Sequence, residues 1–324
     1  MGAFASGRFL STVYIRFTTQ ASHGLQRAPL LERLIARAYP FEPVGDWRGE
    51  AFRVIADERE SPPSIAAAAL YGSFGAMPAA WVCIATPVHL IAGMSNVTME
   101  DEGVLALTLE EALALAADFD RVFSGVGARL LASPAGGLLC VFDRRFDVET
   151  RDPEALVGGD VFGFQPVGAD AASLRRLMSE MEMWLFDHAV NRARAARASL
   201  PITGLWLWGG GPALAAMPRV RGWTAGRDPL FGAFGARATY PDDAGAGVVV
   251  CRDEPGSNGW LEVEHHWLAP AMAALRTGRI VRLELSAGAR RWAVGRRSAW
   301  RFWRRPRPWW EAFERQGSVS NGIQ

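Results

Sequence analysis

His188, Asn191 and Arg194 bring an imidazole, a carboxamide and a guanidinium to positions i, i+3 and i+6. On a helix the first two share a face and the third lies round the side. Such a trio could hold a phosphate or carboxylate, and the nearby helix C-terminus favours a cation. The same spacing also suits a helix end whose His and Asn satisfy buried backbone groups, and spacing alone favours that plainer use. A few residues on, the chain reads Leu205-Trp206-Leu207-Trp208-Gly209-Gly210-Gly211-Pro212. This predicts a buried strand followed by a triple-glycine loop. In an open α/β sheet, ligands sit where loops leave the carboxyl ends of strands. Glycine has no Cβ to block a bound group, so Gly209, Gly210 and Gly211 could present backbone N–H donors. Trp206 and Trp208 fall on one face of the strand, as a packing wall or, less simply, a base-stacking platform. The glycine run matches neither a dinucleotide fingerprint nor a P-loop.

Other clusters carry less. Asp253, Glu254, Glu262, Glu264, His265 and His266 form the densest ionisable group, but neighbours in sequence project apart on a helix or strand, so no metal is expected. No cofactor is expected either. Cys83, Cys140 and Cys251 sit in apolar runs and read as buried structural thiols. All 35 basic residues are arginines, which excludes a lysine Schiff base, a P-loop lysine and a lysine general base. No G-x-S-x-G elbow is present. Residues 296–310 combine six arginines with four tryptophans. That mixture could bind single-stranded nucleic acid or an anionic membrane. The plainer reading is a wrap whose tryptophans cover the core while the arginines snorkel.

The elements that must position these residues follow from pattern. Phe9 to Phe17 reads as a strand and Leu25 to Ala38 as an amphipathic helix. Residues 40–64 carry prolines at 40, 43, 62 and 63 and read as loop, followed by a short helix from Ser64 to Tyr71. Strands are predicted at Trp81–Ile91 and Gly103–Leu107. A helix then starts at a Thr108/Glu111 capping box, and a hairpin follows at Ala128–Leu131 and Gly137–Phe142. Asp170 is read as the cap of a helix that buries Leu174, Leu177, Met178, Met181, Leu185 and His188 on one face, and Met183 is also read as core. Later come a strand at Gly247–Cys251, a helix at Trp260–Leu275 with a kink at Pro270, and strands at Arg279–Ser286 and Arg291–Val294.

With 324 residues, a net charge of +1 and 49% apolar content, the chain has an ordinary globular composition and no global field favouring nucleic acid. The apolar runs are too short or interrupted to span a bilayer, and cytoplasmic location is the default. The element order predicts an α/β protein. Residues 1–80 and 169–311 would form its core, residues 81–168 an inserted α+β domain, and residues 312–324 a flexible tail.

The segment His188-Ala189-Val190-Asn191-x-x-Arg194, followed by Pro201-Ile202-Thr203-Gly204-Leu205-Trp206-Leu207-Trp208 and the glycines, resembles the archaeal-type cofactor-independent phosphoglycerate mutases of the alkaline-phosphatase superfamily. It resembles the bacterial regulator-of-pathogenicity-factors E-type proteins more closely still. Fainter similarity extends over residues 80–320. The resemblance implies a three-layer α/β/α core, a reduced form of that fold, with a small α+β domain inserted. It also places His188, Asn191, Arg194, Trp206, Trp208 and Gly209 to Gly211 near the substrate region. The departures are specific. The mutases begin with a strand ending in an aspartate-glycine metal motif, whereas here the first strand runs Val13-Tyr14-Ile15-Arg16-Phe17 into Thr18-Thr19-Gln20. Their later Asp-x-x-Gly-His motif would fall near residues 252–259, which contain no histidine. Ala189 replaces the usual proline and Thr203 the usual asparagine. The combined expectation is a catalytically degenerate, regulatory or small-anion-binding protein for a phosphorylated or carboxylated metabolite, with a protein partner also open. The alternatives are an active metal-dependent mutase or phosphatase with a rebuilt site, and a nucleic-acid or membrane adaptor acting through residues 296–310.

Overall fold

A computed structural model describes residues 11–18, 27–41, 45–57, 59–134, 137–241, 245–252 and 259–313. The chain divides into two compact units, residues 1–62 with 218–324, and residues 63–217. The first unit opens with β1 (Thr12–Thr18), α1 (Pro29–Arg37), β2 (Tyr39–Phe41) and α2 (Trp47–Ile55). The second comprises α3 (Ile65–Phe74), β3 (Trp81–Val88), β4 (Ile91–Ala92), β5 (Val97–Met99), α4 (Leu109–Val122), β6 (Ala128–Ala132), β7 (Leu138–Phe142), β8 (Gly159–Asp160), α5 (Ala171–Phe186), α6 (Ala189–Ala196) and β9 (Gly204–Gly211). The chain returns to the first unit through β10 (Trp223–Gly226), α7 (Pro229–Gly232), β11 (Gly247–Arg252), α8 (Trp260–Val263), α9 (Ala269–Thr277), β12 (Arg282–Ala287), β13 (Arg290–Gly295) and α10 (Trp309–Phe313).

In the first unit the strand order is β10-β11-β1-β12-β13-β2, parallel through the first four and antiparallel for the last two. Alternation along β1 sorts the layers. Val13, Ile15 and Phe17 join Leu31 and Leu34 of α1 and Ala271, Ala274 and Leu275 of α9 in one buried cluster. Arg16 points the other way, where its guanidinium lies over Trp47 at the start of α2. The sheet therefore lies between two helical layers, the predicted α/β/α arrangement. Two local devices hold the first layer. Ala28, at the N-cap of α1, offers no side-chain cap, and Glu264 supplies one by accepting from the N–H groups of Leu30 (2.6 Å) and Leu31 (2.8 Å). Pro270 lacks an N–H and crowds the carbonyl four residues back, and between α8 and α9 the helix widens into a π stretch at Glu264–Leu268.

Residues 40–64, read as loop, contain a further helix. Asp46 caps α2 by accepting from Gly49 N–H at 2.9 Å, and Ala51, Phe52 and Ile55 are buried. Flanking prolines and an internal glycine hide this short helix from a propensity reading. Phe9 and Leu25 lie outside the described residues, as do 314–324 of the expected tail. Trp309 to Phe313 are helical, and Trp309 is buried in the core.

The second unit is larger than the expected 81–168 insertion, because α3, α5, α6 and β9 belong to it. Its four-stranded antiparallel sheet has the order β6-β7-β3-β9, and β9 pairs with β3. Leu174, Met181, Leu205 and Trp206 share one buried cluster with β3. A small β4-β5-β8 sheet adjoins in sequence. The predicted capping box is formed reciprocally by Thr108 and Glu111, and the 128–142 hairpin is present. Gly103–Leu107 is not a strand: it makes one bridge, Val104 to Val88, while Val97–Met99 takes the strand role. Asp170 stands at the N-cap of α5 without capping it, its carboxylate instead taking Arg144 and the Asp147 N–H. Met183 is 72% exposed, on the solvent side of α5, whereas Met178 and Met181 are core. Cys83, Cys140 and Cys251 are buried, with Cys83 and Cys140 opposite each other across β3 and β7. No helix among the described residues is long and apolar enough to cross a membrane.

The triple glycine is not a loop. All three residues are in β9, and their missing Cβ atoms make room for protein rather than ligand. A Cβ on Gly210 would lie 2.0 Å from the Trp81 ring and one on Gly211 2.4 Å from Ser64 Oγ, while Gly209 has φ +64°. Gly210→Ala is therefore expected to destabilise by about 1–3 kcal/mol through overpacking. Urea denaturation checks this, and Trp81→Ala should relieve part of the penalty in the double variant.

Candidate functional site

The residues singled out by sequence lie together in the second unit, and their polar atoms are committed inside it. The long helix ends at Phe186, and His188 becomes the N-cap of a separate helix, α6. His188 Nδ1 accepts from Val190 N–H at 3.1 Å, which requires the neutral Nε2–H tautomer. Nε2 lies 3.4 Å from Asp118 Oδ2, and Asp118 also accepts from Trp184 Nε1 at 2.8 Å. The His–Asp pair thus has the composition of a catalytic dyad but the wiring of a cap. Burial pushes His188 below the ordinary histidine range, only partly offset by the Asp118 carboxylate. Asn191 donates to Leu185 O and Ile202 O, each at 2.8 Å, and accepts from Ile202 N–H at 2.8 Å. It joins the end of α5 to the entry of β9.

Arg194 donates to Leu200 O at 2.7 Å and to both oxygens of Glu111, at 3.1 and 3.0 Å. Glu111 also takes Arg197 at 2.6 Å and the Thr108 N–H at 2.9 Å. Burial raises the Glu111 carboxyl, but the Thr108 N–H and the two guanidinium groups outweigh it and leave it below its ordinary value. Trp206 Nε1 donates to Arg151 O and Trp208 Nε1 to Thr86 Oγ1, so both indoles are buried packing groups. Thr203 accepts from Leu90 N–H at 2.7 Å and donates to Val88 O. Ala189 occupies the first turn position of α6, where a proline would cost nothing because that N–H has no intrahelical partner. The structure thus brings the predicted trio together but engages it in holding α4, α6 and β9.

The first unit holds a second polar assembly, at the carboxyl end of β1, which the sequence reading passed over. Arg16 Nη1 donates to Ser286 Oγ at 2.8 Å and to Gly288 O at 2.6 Å. The Trp47 ring has the Arg16 guanidinium 4.9 Å and the Arg48 guanidinium 4.5 Å from its centroid. Arg48 pairs with buried Asp228 at 2.9 Å, and Asp228 Oδ1 accepts from Leu230 and Phe231 N–H to cap α7. Further along this face Arg291 holds Glu284 at 2.6 Å and Glu50 at 3.2 Å, and Arg282 approaches Glu284 at 3.2 Å. Tyr14, in the same row, is raised by burial. The Arg-Asp-Pro helix start at 227–229 and the lone arginine inside an apolar strand were the available signals.

Among the described residues no three His, Cys, Asp or Glu converge as ligands. Asp228, beyond the carboxyl end of β10, is already bonded to Arg48 and two N–H groups. Residues 19–26 and 253–258, where the mutase-like motifs would continue, lie outside the described residues, as do Asp253 and Glu254. Of that ionisable cluster, Glu264 is a cap and His266 Nδ1 faces Glu262 O.

Comparison with known proteins gives distant mutase relatives. A 2,3-bisphosphoglycerate-independent phosphoglycerate mutase of Methanothrix thermoacetophila is 27% identical over 195 residues, covering 58% of this chain and 47% of that protein. A 2,3-bisphosphoglycerate-independent phosphoglycerate mutase 2 of Methanothermobacter thermautotrophicus is 30% identical over 123 residues, covering 36% and 29%. The chain spans less than half the length of either curated relative in these matches. No family model matches. Among solved structures, the cofactor-independent phosphoglycerate mutase of Thermoplasma acidophilum aligns with a TM-score of 0.36 and 14% identity, covering 88% of this chain and 89% of that one. A Pyrococcus horikoshii protein aligns with a TM-score of 0.42 and 12% identity, covering 88% and 87%. The chain is mutase-like in sequence and mixed α/β in structure.

Two outcomes test the wiring of the trio. Arg194→Ala leaves Glu111 buried with only Arg197 as a charge partner and should cost about 3 kcal/mol in denaturant unfolding. For His188, the depressed pKa means the unfolded chain takes up the proton first. Its stabilising contribution is present above about pH 6.5 and lost as the pH falls toward the folded value. His188→Asn keeps a capping oxygen without the titration, so its unfolding free energy should fall less than that of the parent below about pH 6.5.

Proposed function

We propose that this chain is a catalytically degenerate phosphoglycerate-mutase-like protein that holds a small phosphorylated or carboxylated metabolite in a regulatory role. On this reading it stands nearer to the regulator-of-pathogenicity-factors E-type proteins than to the working mutases of the alkaline-phosphatase superfamily. The observation that carries it is the charge at the carboxyl end of β1. Where the mutases end their first strand with an aspartate, this strand runs into Thr18 and carries Arg16, held in place by Ser286 and Gly288. A guanidinium there disfavours a dication and favours an anion. We assign the anion to this end of the first unit, and not to His188, Asn191, Arg194 and Gly209 to Gly211, because the Glu111 carboxylate already answers the Arg194 charge and Gly209 to Gly211 are packed in β9, whereas Ser286 Oγ and Gly288 O, which hold Arg16, are uncharged. Arg16 would supply charge, and the Trp47 face and Arg48 would bound the place where a carboxylate or phosphate lies.

The sequence similarity to the archaeal mutases supports the competing reading, an active metal-dependent mutase or phosphatase with a rebuilt site. A thermal-shift panel of phosphorylated and carboxylated metabolites, 3-phosphoglycerate included, run with and without Mn²⁺, separates the two. Saturation at about one hundred times the dissociation constant adds about 2.7 kcal/mol of stability. A metal-independent rise in Tm that Arg16→Ala abolishes is the expected result. A rise that requires Mn²⁺, with phosphoglycerate interconversion in a coupled assay, would establish the enzyme instead.

A further inference from the structure

The loop between β13 and α10 presents a second, unrelated surface. It is pinned at both ends. Arg301 Nη1 donates to Ala38 O at 2.9 Å, and its guanidinium lies 3.7 Å from the Tyr39 ring centroid. At the other end Trp309 is buried against Trp260 and Phe313. Between these anchors runs Phe302-Trp303-Arg304-Arg305-Pro306-Arg307-Pro308, whose two prolines restrict the backbone. The anchored loop turns its large apolar side chains outward: Trp300 is 74% exposed, Phe302 72% and Trp303 65%. A rigid loop that offers three large aromatics to water is the sort of apolar patch that marks an interaction surface.

Beside the aromatics the loop forms a groove of about 480 Å³ with α1 and β13, lined by Arg290, Arg304, Arg305 and Arg307 and by the carboxylates of Glu32 and Glu311. Glu32 does not answer those charges, because both its oxygens accept from Arg27 at 2.6 Å. Arg304, Arg305 and Arg307 make no side-chain hydrogen bond or ion pair with the described residues. Among the described residues, the groove thus brings the three guanidinium groups of Arg304, Arg305 and Arg307 to one wall, which makes it complementary to phosphate-bearing anions.

We propose that residues 300–307 form a docking surface for an anionic lipid bilayer, with Trp300, Phe302 and Trp303 entering the headgroup region and the groove arginines holding lipid phosphates. Aromatic side chains favour the membrane interface, and peripheral binding strengthens when apolar insertion and basic charge act together. Single-stranded nucleic acid would use the same charge but needs aromatic faces on which successive bases stack. Phe302 and Trp303 instead meet edge to face, 78° apart with centroids at 5.7 Å, and offer no parallel pair of platforms.

The test is flotation of the full chain with phosphatidylcholine vesicles, with and without phosphatidylglycerol, at low and high salt. Oligothymidylate serves as competitor. The expected result is binding only to the anionic vesicles, weakened by salt and reduced at least about tenfold by Arg304→Glu/Arg305→Glu or by Phe302→Ala/Trp303→Ala. Arg304→Lys/Arg305→Lys should retain it, and because all four side chains are exposed the parent Tm should persist in every variant. Failure to float, equal binding to uncharged vesicles, or retained binding in both double variants would overturn the proposal. Preferential capture of oligothymidylate that vesicles do not displace would overturn it in favour of nucleic acid.

Discussion

A carboxylate withdrawn from water must be answered by donors close enough to replace its hydration, and Glu111 imposes that constraint on the second unit. Three groups meet it with four hydrogen bonds: the Thr108 N–H at the start of α4, and the guanidinium groups of Arg194 and Arg197 at the end of α6. Because Arg194 also holds Leu200 O, the turn after α6 is fixed in the same step. Asn191 then delivers the chain to β9 by bonding both backbone groups of Ile202. The face on which Trp206 and Trp208 emerge, and the register that sets Gly210 under Trp81, follow from that delivery. One buried charge thus propagates through two helices into the strand that completes the sheet.

The sequence was most readable where local chemistry and tertiary packing ask for the same thing. Thr108 and Glu111 specify a helix start in isolation, and the structure uses the same pair as the anchor for Arg194, so the local signal survives. The hairpin at 128–142 and the alternating β1 and β11 residues were legible for the same reason. The misses are places where a distant element supplies what the local sequence lacks. Helix α1 begins at Ala28 and not at a Ser, Thr, Asp or Asn, because Glu264 reaches back from more than two hundred residues away to cap it. Gly103–Leu107 has strand-like composition but makes only one bridge, Val104 to Val88, at the end of β3 beyond the Trp81–Ile84 stretch that pairs with β7.

The triple glycine shows the same limit at the level of the site. From sequence, absent Cβ atoms mean that something approaches closely, but not what. Here the visitor is the chain itself: the Trp81 ring at Gly210, Ser64 at Gly211 and Ile65 at Gly209. His188 is similar, since an imidazole near a carboxylate reads as a proton-transfer pair until the acceptor role of Nδ1 is known. The Val190 N–H fixes that role, and no spacing rule would have reported it.

These particulars separate two meanings of similarity. The segment from His188 to Gly211 is the one whose residue pattern resembles the mutases, yet the polar side chains of His188, Asn191 and Arg194 are bonded within the protein. A motif so occupied reports how the second unit folds, and it can persist whether or not any reaction does. Chemistry in an open α/β sheet depends instead on what stands at the carboxyl ends of the parallel strands. There the first unit offers Arg16 braced by Ser286, Trp47 between two guanidinium groups, and an aspartate already neutralised by Arg48. A dication entering beside Arg16 would meet its fixed positive charge. An anion there would be attracted, and that attraction is the physical basis on which we propose that this strand end holds a phosphorylated or carboxylated molecule.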